Sequence, residues 1–587
     1  MIPDKNTLIC SKYNKPLPYN KWFEVIFIFL LWSPILMGVN NNIVDLEPGK
    51  RGKNTYHVWV YFNDKLNPDF KYDNNELSQV KASMDPRSIK RRMKVKGENF
   101  ADEKDVPVSK SYIEIVKESG VKIRTISKWL NAVSVEGSSQ QIELVLKFPF
   151  VRKIDPVLNG KRREPEFISQ LKKTHSNPNF YGNSYDQLNQ INIIQLHESG
   201  YSGENVRILV LDSGFYLDHE VFDSLNVIAA YDFVDQDNIV SNEDGKDPFN
   251  QHNHGTSVLS VLAGFKPDTL IGSAYGAEFL LGKTEDISLE EPIEEDNFIA
   301  GLEWGESLGA DIVSSSIGYI DWYSQSDLDG QTAAITQEVN IAIKNGMVVV
   351  TAVGNIYDDY DGIYAPADAF DVISCGAVDE NGLIASFSSR GPTADNRIKP
   401  EVCAMGNGTF SANAISTKSY GNGIGTSLAT PLVSGVCALL LEAHPDWTPT
   451  QIRNAILNTA DQSDIPDNTY GWGIVDAVAA LNYELTETPS DSIFIISNAY
   501  PNPCDKSVNF TLNNPPELKV KLSIINVTGA TSFERNVTLL PSENKIQLNL
   551  KDFSSGIYLA VFNFNQHVPI TRKICHIKGI EIPCTEL

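Results

Sequence analysis

Between Tyr181 and Tyr483 the chain alternates short, unbroken apolar runs with stretches whose apolar residues recur at helical spacing. The runs include Val206–Leu211, Phe279–Lys283, Ala310–Ser314, Met347–Ala352 and Val372–Val378. Strands that are apolar on both faces belong to a parallel sheet covered by helices on each side, so this segment, 179–485, predicts a three-layer α/β domain. It closes on a marked helix, with Thr448 as N-cap, Pro449 at the first position and Gln451 completing a capping box. Upstream, residues 54–157 read as a small α+β unit. Tyr56–Phe62 is a strand, Lys110–Ser119 a helix ended by Gly120, and Val121–Val135 holds two further strand-like runs. Ser138 and Gln141 then form a capping box before Ile142–Lys147, and Val151–Val157 is a last strand. Downstream, Lys519–Ile525, Lys545–Leu550 and Ile557–Phe564 alternate with Pro, Asn and Gly turns, which predicts an all-β sandwich over 493–587. The polar stretches Leu158–Pro178 and Glu484–Ser492 read as exposed linkers, the first carrying Lys161-Arg162-Arg163.

A length of 587 residues agrees with several domains, since one hydrophobic core rarely serves so long a chain. The formal net charge of −25 excludes a general affinity for nucleic acid or anionic membrane. At the N-terminus Lys5, Lys12, Lys15 and Lys21 precede an apolar run, Val25–Met37, broken only by Ser33 and Pro34. That order suits a secretory signal, assigned to residues 1–39. Glu24 and the lack of a small-x-small cleavage site leave an uncleaved anchor as the alternative. No cysteine shows CxxC metal spacing. Cys375 and Cys437 lie in apolar segments and read as buried hydrophobes. Cys504, Cys575 and Cys584 could include a disulfide in an oxidising compartment, with the pairing open.

Three positions carry chemistry. Asp212 ends the run VRILVLD, and in open α/β sheets ligands bind at strand C-termini. His254 precedes Gly255-Thr256 and a helical stretch, Ser257–Ala263, which leaves one imidazole face open to a cleft. Ser427 stands in Gly425-Thr426-Ser427-Leu428-Ala429-Thr430-Pro431, ahead of the apolar helix Leu432–Ala443. A serine at a helix start has free backbone N–H groups and the positive dipole end beside it. Each residue alone has an ordinary reading: a turn Asp, a surface His, an N-cap Ser. A two-histidine metal site with His252 also comes to mind, yet no further ligand stands at suitable spacing. Together they supply a nucleophile, a base and a group that orients the base.

In these motifs the chain resembles the subtilisin-like serine peptidases (the S8 family), through D-S-G at Asp212, H-G-T at His254 and G-T-S-x-A-x-P at Ser427. The resemblance implies the catalytic triad Asp212, His254 and Ser427. It also implies an oxyanion hole with Asn355, in Thr351-Ala352-Val353-Gly354-Asn355. Substrate-binding positions are implied at Ser316, Ile317, Gly318, Ala352, Val353 and Gly354. Val353 stands where Ala is usual and is expected to narrow the adjoining pocket. Trp129–Val135 and Phe150–Val157 resemble the end of the family's inhibitory pro-segment, which acts as intramolecular chaperone and inhibitor. Its processing site is then expected within 158–178. Tyr500-Pro501-Asn502-Pro503, Ser555-Gly556-Ile557-Tyr558 and Thr571-Arg572-Lys573 resemble the sorting domain recognised by the type IX secretion machinery. The chain departs from it by continuing to Pro583-Cys584 and Leu587.

The implied function is a secreted or cell-surface serine endopeptidase acting on proteins or peptides, with no cofactor in the chemistry. The alternative is an inactive surface binding protein on the same scaffold, which loss of a triad residue would have favoured. A lipase or esterase would instead show G-x-S-x-G, and Ser427 does not. Glu285, Asp286, Glu290, Glu291, Glu294, Glu295 and Asp296 follow the Phe279–Lys283 strand. Three readings stand for them: selection of basic substrate side chains, a solvated acidic loop, or a structural calcium site of the sort common in the family.

Overall fold

The computed structural model describes residues 46–50, 54–65, 74–157, 180–287, 293–320, 323–356, 362–485, 504–511, 518–526, 530–539, 545–564 and 570–578. The signal-like segment, the linker Leu158–Pro178, Glu290, Glu291, the Tyr500–Pro503 motif and Pro583-Cys584 lie outside them. The chain divides into two compact units, Met1–Tyr483 and Glu484–Leu587.

The first unit begins with β1 (Tyr56–Phe62), α1 (Asn74–Ser83), α2 (Pro86–Lys96), α3 (Lys110–Glu118), β2 (Lys122–Ser127), β3 (Ala132–Gly137), α4 (Ser139–Leu146) and β4 (Val151–Pro156). The strands form one antiparallel sheet in the order β2-β3-β1-β4. The predicted capping box of Ser138 and Gln141 is present, and Gly120 (φ 87°) follows α3. Helices α1 and α2 were not legible in the sequence. The second reads PRSIKRRMKVK, and what it buries is Ser88, Arg91 and Arg92 rather than an apolar stripe.

There follow α5 (Tyr185–Gln190), α6 (Ile193–Glu198), β5 (Arg207–Asp212), β6 (Asn226–Asp232), α7 (Asn253–Ala263), the two-residue strands β7 (Phe265–Lys266) and β8 (Leu270–Ile271), and β9 (Glu278–Lys283). Next come α8 (Ile293–Ser307), β10 (Ile312–Ser315), α9 (Ala334–Lys344), β11 (Val348–Ala352), β12 (Ile373–Val378) and β13 (Val402–Met405). A hairpin of β14 (Asn407–Ala412) and β15 (Tyr420–Ile424) leads into α10 (Thr426–Ala443), α11 (Pro449–Thr459) and α12 (Ala477–Leu481). Seven strands make a parallel sheet in the order β13-β12-β11-β10-β5-β9-β6. Side chains alternate between two cores, as the period of a strand requires. Ile208, Val210, Ile312, Val348 and Val350 pack with residues of α7 and α10. Leu209, Leu211, Val313 and Val349 pack with Phe298 and Leu302 of α8 and Val339 of α9. Both faces are therefore dry, and the α/β fold class holds. Among the described residues α10 is the one helix long and apolar enough to cross a membrane, and it is buried inside this core.

The α+β unit lies on α8 and α9. Ile299 of α8 packs with Trp59, Tyr61, Leu130, Ala132 and Val157. Polar bonds surround that contact. Glu306 of α8 is buried and accepts from both Arg91 and Arg92, the latter through Nε at 2.9 Å. Arg87 Nη2 donates to Asp311 at 2.6 Å and to Asn205 O at 2.8 Å, and Lys96 Nζ to Asn345 Oδ1 at 2.6 Å.

The second unit contains β16 (Ser507–Thr511), β17 (Leu518–Asn526), β18 (Thr531–Leu539), β19 (Lys545–Asn549), β20 (Gly556–Phe564) and β21 (Ile570–His576). A two-stranded sheet (β16-β19) and a four-stranded sheet (β18-β17-β20-β21) share one core that includes Phe510, Leu548, Leu522 and Phe562. Cys504 is buried in this unit, and its N–H donates to Cys575 O at 2.9 Å.

Candidate active site

Strand order reverses at β5, which has β10 on one side and β9 on the other, so a crevice opens at the strand C-termini there. Ser315 pairs with both Leu211 and Thr351. The residues that follow, Asp212, Ser316 and Ala352, therefore come to a common level at the rim of that crevice.

Asp212 is fully buried. Its Oδ1 accepts from the Ser213 N–H at 2.7 Å and stands 2.7 Å from His254 Nδ1. A carboxylate only accepts, so Nδ1 carries the hydrogen and Nε2 is left as the acceptor facing the cleft. Helix α7 begins at Asn253, four residues before the predicted start, which puts His254 in its first turn. Gly255 lets this turn approach β5: a Cβ there would lie 2.2 Å from Gly214 O and 3.0 Å from the Asp212 Cβ.

Ser427 is the second residue of α10, entered through Gly425 at φ 144°, a conformation that side chains rarely adopt. Its N–H is among the first of the helix, which have no intrahelical acceptor. Pro431 lies four residues on and has no N–H to give to the Ser427 carbonyl. Ser316 Oγ donates to that carbonyl instead, at 2.7 Å. The Ser427 hydroxyl donates in turn to Ser316 O at 3.3 Å. It is not bonded to His254, whose Nε2 is buried without a partner. Apo active-site hydrogen bonds commonly close only around substrate. Ser316→Ala removes the donor that replaces the missing helix bond. It should lower stability by about 1–3 kcal/mol, the cost of a buried unsatisfied carbonyl. Thermal melting of the purified variant measures it, together with a drop in kcat as Ser427 loses its tether.

Asn355 completes the set. Its Oδ1 accepts from the Thr426 N–H at 2.8 Å and from Thr426 Oγ1 at 3.0 Å. The Thr426 N–H can only donate, so this end of the amide is the oxygen. The Nδ2 donor then faces the other way, beside the start of α10. Backbone and side-chain N–H groups so arranged stabilise an oxyanion.

Other expectations change. Val353 does not narrow a pocket: it is fully buried in the core beside Ile317, and its N–H donates to Cys375 O. Ile317 is likewise a core side chain. Ser316, Gly318, Ala352 and Gly354 stand at or just past the ends of β10 and β11, where Thr426 Oγ1, its one hydrogen given to Asn355 Oδ1, lies 3.2 Å from Gly354 O. His252 does not pair with His254 on a metal. Its Nδ1 accepts the Asn242 N–H at 2.9 Å, and burial pulls its pKa down to about 4. Four of the acidic residues after β9 have hydrogen-bond donors within the protein. Glu285 accepts from Tyr319 OH at 2.6 Å, Glu295 from Tyr323 OH at 2.6 Å, Glu294 from Asp286 N at 3.2 Å, and Asp296 from Ser134 Oγ. Among the described residues no three His, Cys, Asp or Glu side chains converge on one point. Sequence reading missed Gln251. This buried side chain donates to Ser213 O at 2.7 Å and Glu285 O at 2.6 Å and accepts Ile287 N–H at 3.0 Å, tying together the ends of β5 and β9.

Comparison with known proteins agrees with this geometry. Residues 203–473 match the model of the subtilase family. Over 285 residues the chain is 32% identical to subtilisin Savinase of Lederbergia lenta, covering 48% of this chain and 93% of that one. The chain belongs to the subtilase family. It is also 29% identical over 370 residues to subtilisin E of Bacillus subtilis (strain 168), covering 62% of this chain and 85% of that protein. Fervidolysin from Fervidobacterium pennivorans, a keratinolytic enzyme related to subtilisin, shares the fold, with a TM-score of 0.54, 21% identity, and coverage of 88% of this chain and 72% of that one. Residues 57–173 of the subtilase match the peptidase S8 propeptide domain of Bacteroidota, and residues 498–578 a secretion system C-terminal sorting domain. The protein is thus a subtilisin-like serine peptidase made with a propeptide and exported, as a secreted or cell-surface enzyme.

Proposed function

We propose that the subtilase hydrolyses peptide bonds through an acyl-enzyme on Ser427. The observation that carries this reading is the 2.7 Å Asp212–His254 contact opening onto Ser427 at the start of α10. His254 Nε2 takes the Ser427 proton as the hydroxyl oxygen attacks the scissile carbonyl. Asp212 holds the imidazole with its hydrogen on Nδ1 and stabilises the imidazolium. Asn355 Nδ2 and the Ser427 N–H receive the oxyanion, helped by the positive end of α10. His254 then protonates the leaving amine, and water repeats the sequence to release the acid. No step needs a metal or an organic cofactor. Intact chemistry at Asp212, His254, Ser427 and Asn355 leaves the inactive-scaffold alternative without support.

The first substrate is the chain itself. Residues 54–157 act as the pro-segment, and the cut falls within 158–178, where the bond is held beside the nucleophile and reacts as an intramolecular neighbour. Residues 1–39 serve export from the cytoplasm. Residues 493–587 engage the type IX secretion machinery. A serine-reactive phosphonate should label the mature enzyme once, at Ser427, and Edman sequencing should place the mature N-terminus between Leu158 and Pro178. Absent labelling, or a mature N-terminus upstream of Val157, would overturn this reading.

A further inference from the structure

One hydroxyl at the seam between the α+β unit and the catalytic domain has more carboxylate neighbours than it can serve. Ser127 Oγ, fully buried, lies 2.8 Å from Glu303 Oε1 of α8 and 2.6 Å from Glu338 Oε1 of α9. It also accepts the Leu130 N–H at 2.9 Å. A hydroxyl has one hydrogen to donate and two lone pairs. It can therefore donate to one carboxyl only, and the other must bring a proton of its own.

The partners decide which. Burial raises the Glu303 carboxyl too, but it accepts from backbone N–H groups, Trp129 N at 3.1 Å and Lys128 N at 3.4 Å, which favour its charged form, so of the two it is the ionised acceptor. Glu338 is wholly buried, and its Oε2 has no donor at all. A carboxylate so placed would be a desolvated charge beside another of like sign. As a neutral acid it donates to Ser127, Ser127 donates to Glu303, and every hydrogen is used.

We propose that Glu338 is a proton latch for the pro-segment: docking of residues 54–157 traps one proton between α8 and α9, and rising pH releases the unit. This rests on residues 54–157 being the inhibitory pro-segment. The groups facing Glu338 are Glu303 from α8, and Lys104, Lys128 and Tyr61 from the docked unit. The other charge on helix α9 is Lys344, in its last turn. Burial raises the Glu338 carboxyl well above its ordinary value, Glu303 adds to the rise, and Lys104 and Lys128 oppose it. Once Ser127–Trp129 leaves, Glu338 meets water and titrates near the ordinary glutamate value of about 4.3. A group with its pKa raised in the bound state strengthens binding at low pH, and that gain fades as pH climbs towards the raised value. Docking should weaken about tenfold per pH unit across that window.

The test follows full-length chains from pH 5 to pH 9. In the wild type, the lag before a peptide nitroanilide is hydrolysed should shorten with pH. Glu338→Gln keeps a neutral donor at the same place, so its lag should be long and lack this extra pH dependence. The ratio of the two lags then grows about tenfold per unit, with kcat/KM of the fully activated enzymes unchanged. In an uncut Ser427→Ala background, melting temperature should fall more steeply with pH when residue 338 is Glu than when it is Gln. Equal pH slopes for Glu and Gln overturn the proposal. Ser127→Ala, on the discarded unit, should shorten the lag at low pH, and an unchanged lag overturns it also. A wild type that never hydrolyses the nitroanilide refutes the peptidase reading alone, because the Ser427→Ala melting series reads the latch without catalysis.

Discussion

Ser427→Ala should lower kcat for peptide hydrolysis by about 10⁶, a magnitude that comes from subtilisin itself, while leaving the fold intact. The hydroxyl contributes little to stability, since its bond to Ser316 O is long at 3.3 Å and Ser316 Oγ still holds the Ser427 carbonyl. What remains is the residual rate that the oxyanion donors and binding supply without a nucleophile. The same change should leave the full-length chain uncut, because the first cut needs the same oxygen. Kinetics on the purified variant and the size of the accumulated chain check both. Normal turnover, or processing at the usual rate in a pure Ser427→Ala preparation, would remove Ser427 from the mechanism.

Asn355→Ala should lower kcat by about 10²–10³, or roughly 3–4 kcal/mol of transition-state stabilisation, again a magnitude from subtilisin. KM should change little. The reason lies in what the donor meets: Nδ2 serves an oxygen that becomes anionic only after attack, so the ground state loses almost nothing. The side chain has a second duty. Its Oδ1 accepts from the Thr426 N–H and hydroxyl, which fixes the entry to α10. Asn355→Asp keeps that acceptor and lacks the donor, so it separates the two duties. If Asp restores kcat, the loss in Ala was one of positioning, and the oxyanion assignment fails.

Much of the fold was legible because burial on both faces leaves an unmistakable trace. Runs such as VRILVLD have no polar face to offer water, and only a covered sheet accommodates them. Asp212 was legible because it ends such a run, and His254 and Ser427 because each stands just ahead of an apolar helical stretch. The docked helix α2 was not legible, and the cause is physical. Its buried face is made of Ser88, Arg91 and Arg92, whose partners in the catalytic domain, Glu306, Ala310 and Asn345, lie more than 200 residues away. A pattern built on hydrophobic spacing reads such a helix as solvent-exposed. The role of Ser316 was hidden similarly, although a signal existed: Pro431, four residues after the nucleophile, announces a carbonyl in need of another donor. Val353 misled for the opposite reason, because a substitution beside an active-site residue looks like a pocket change until its side chain is seen in the core.

The order of the seven-stranded sheet also bears on how long the enzyme lasts. Its first strand in the chain, β5, ends in the interior between β10 and β9, and every neighbour is parallel. Such a sheet assembles only by closing long crossovers before any pairing rewards them, so the barrier to forming it is high. Meanwhile the unit that bridges α8, α9 and Asp311 is designed into the chain only until the cut. A mature molecule that opens therefore has lost the bridge that helped it close. Its working life is then set by the rate of unfolding rather than by an equilibrium, and heat inactivation should be first-order, with an apparent midpoint that moves with scan rate.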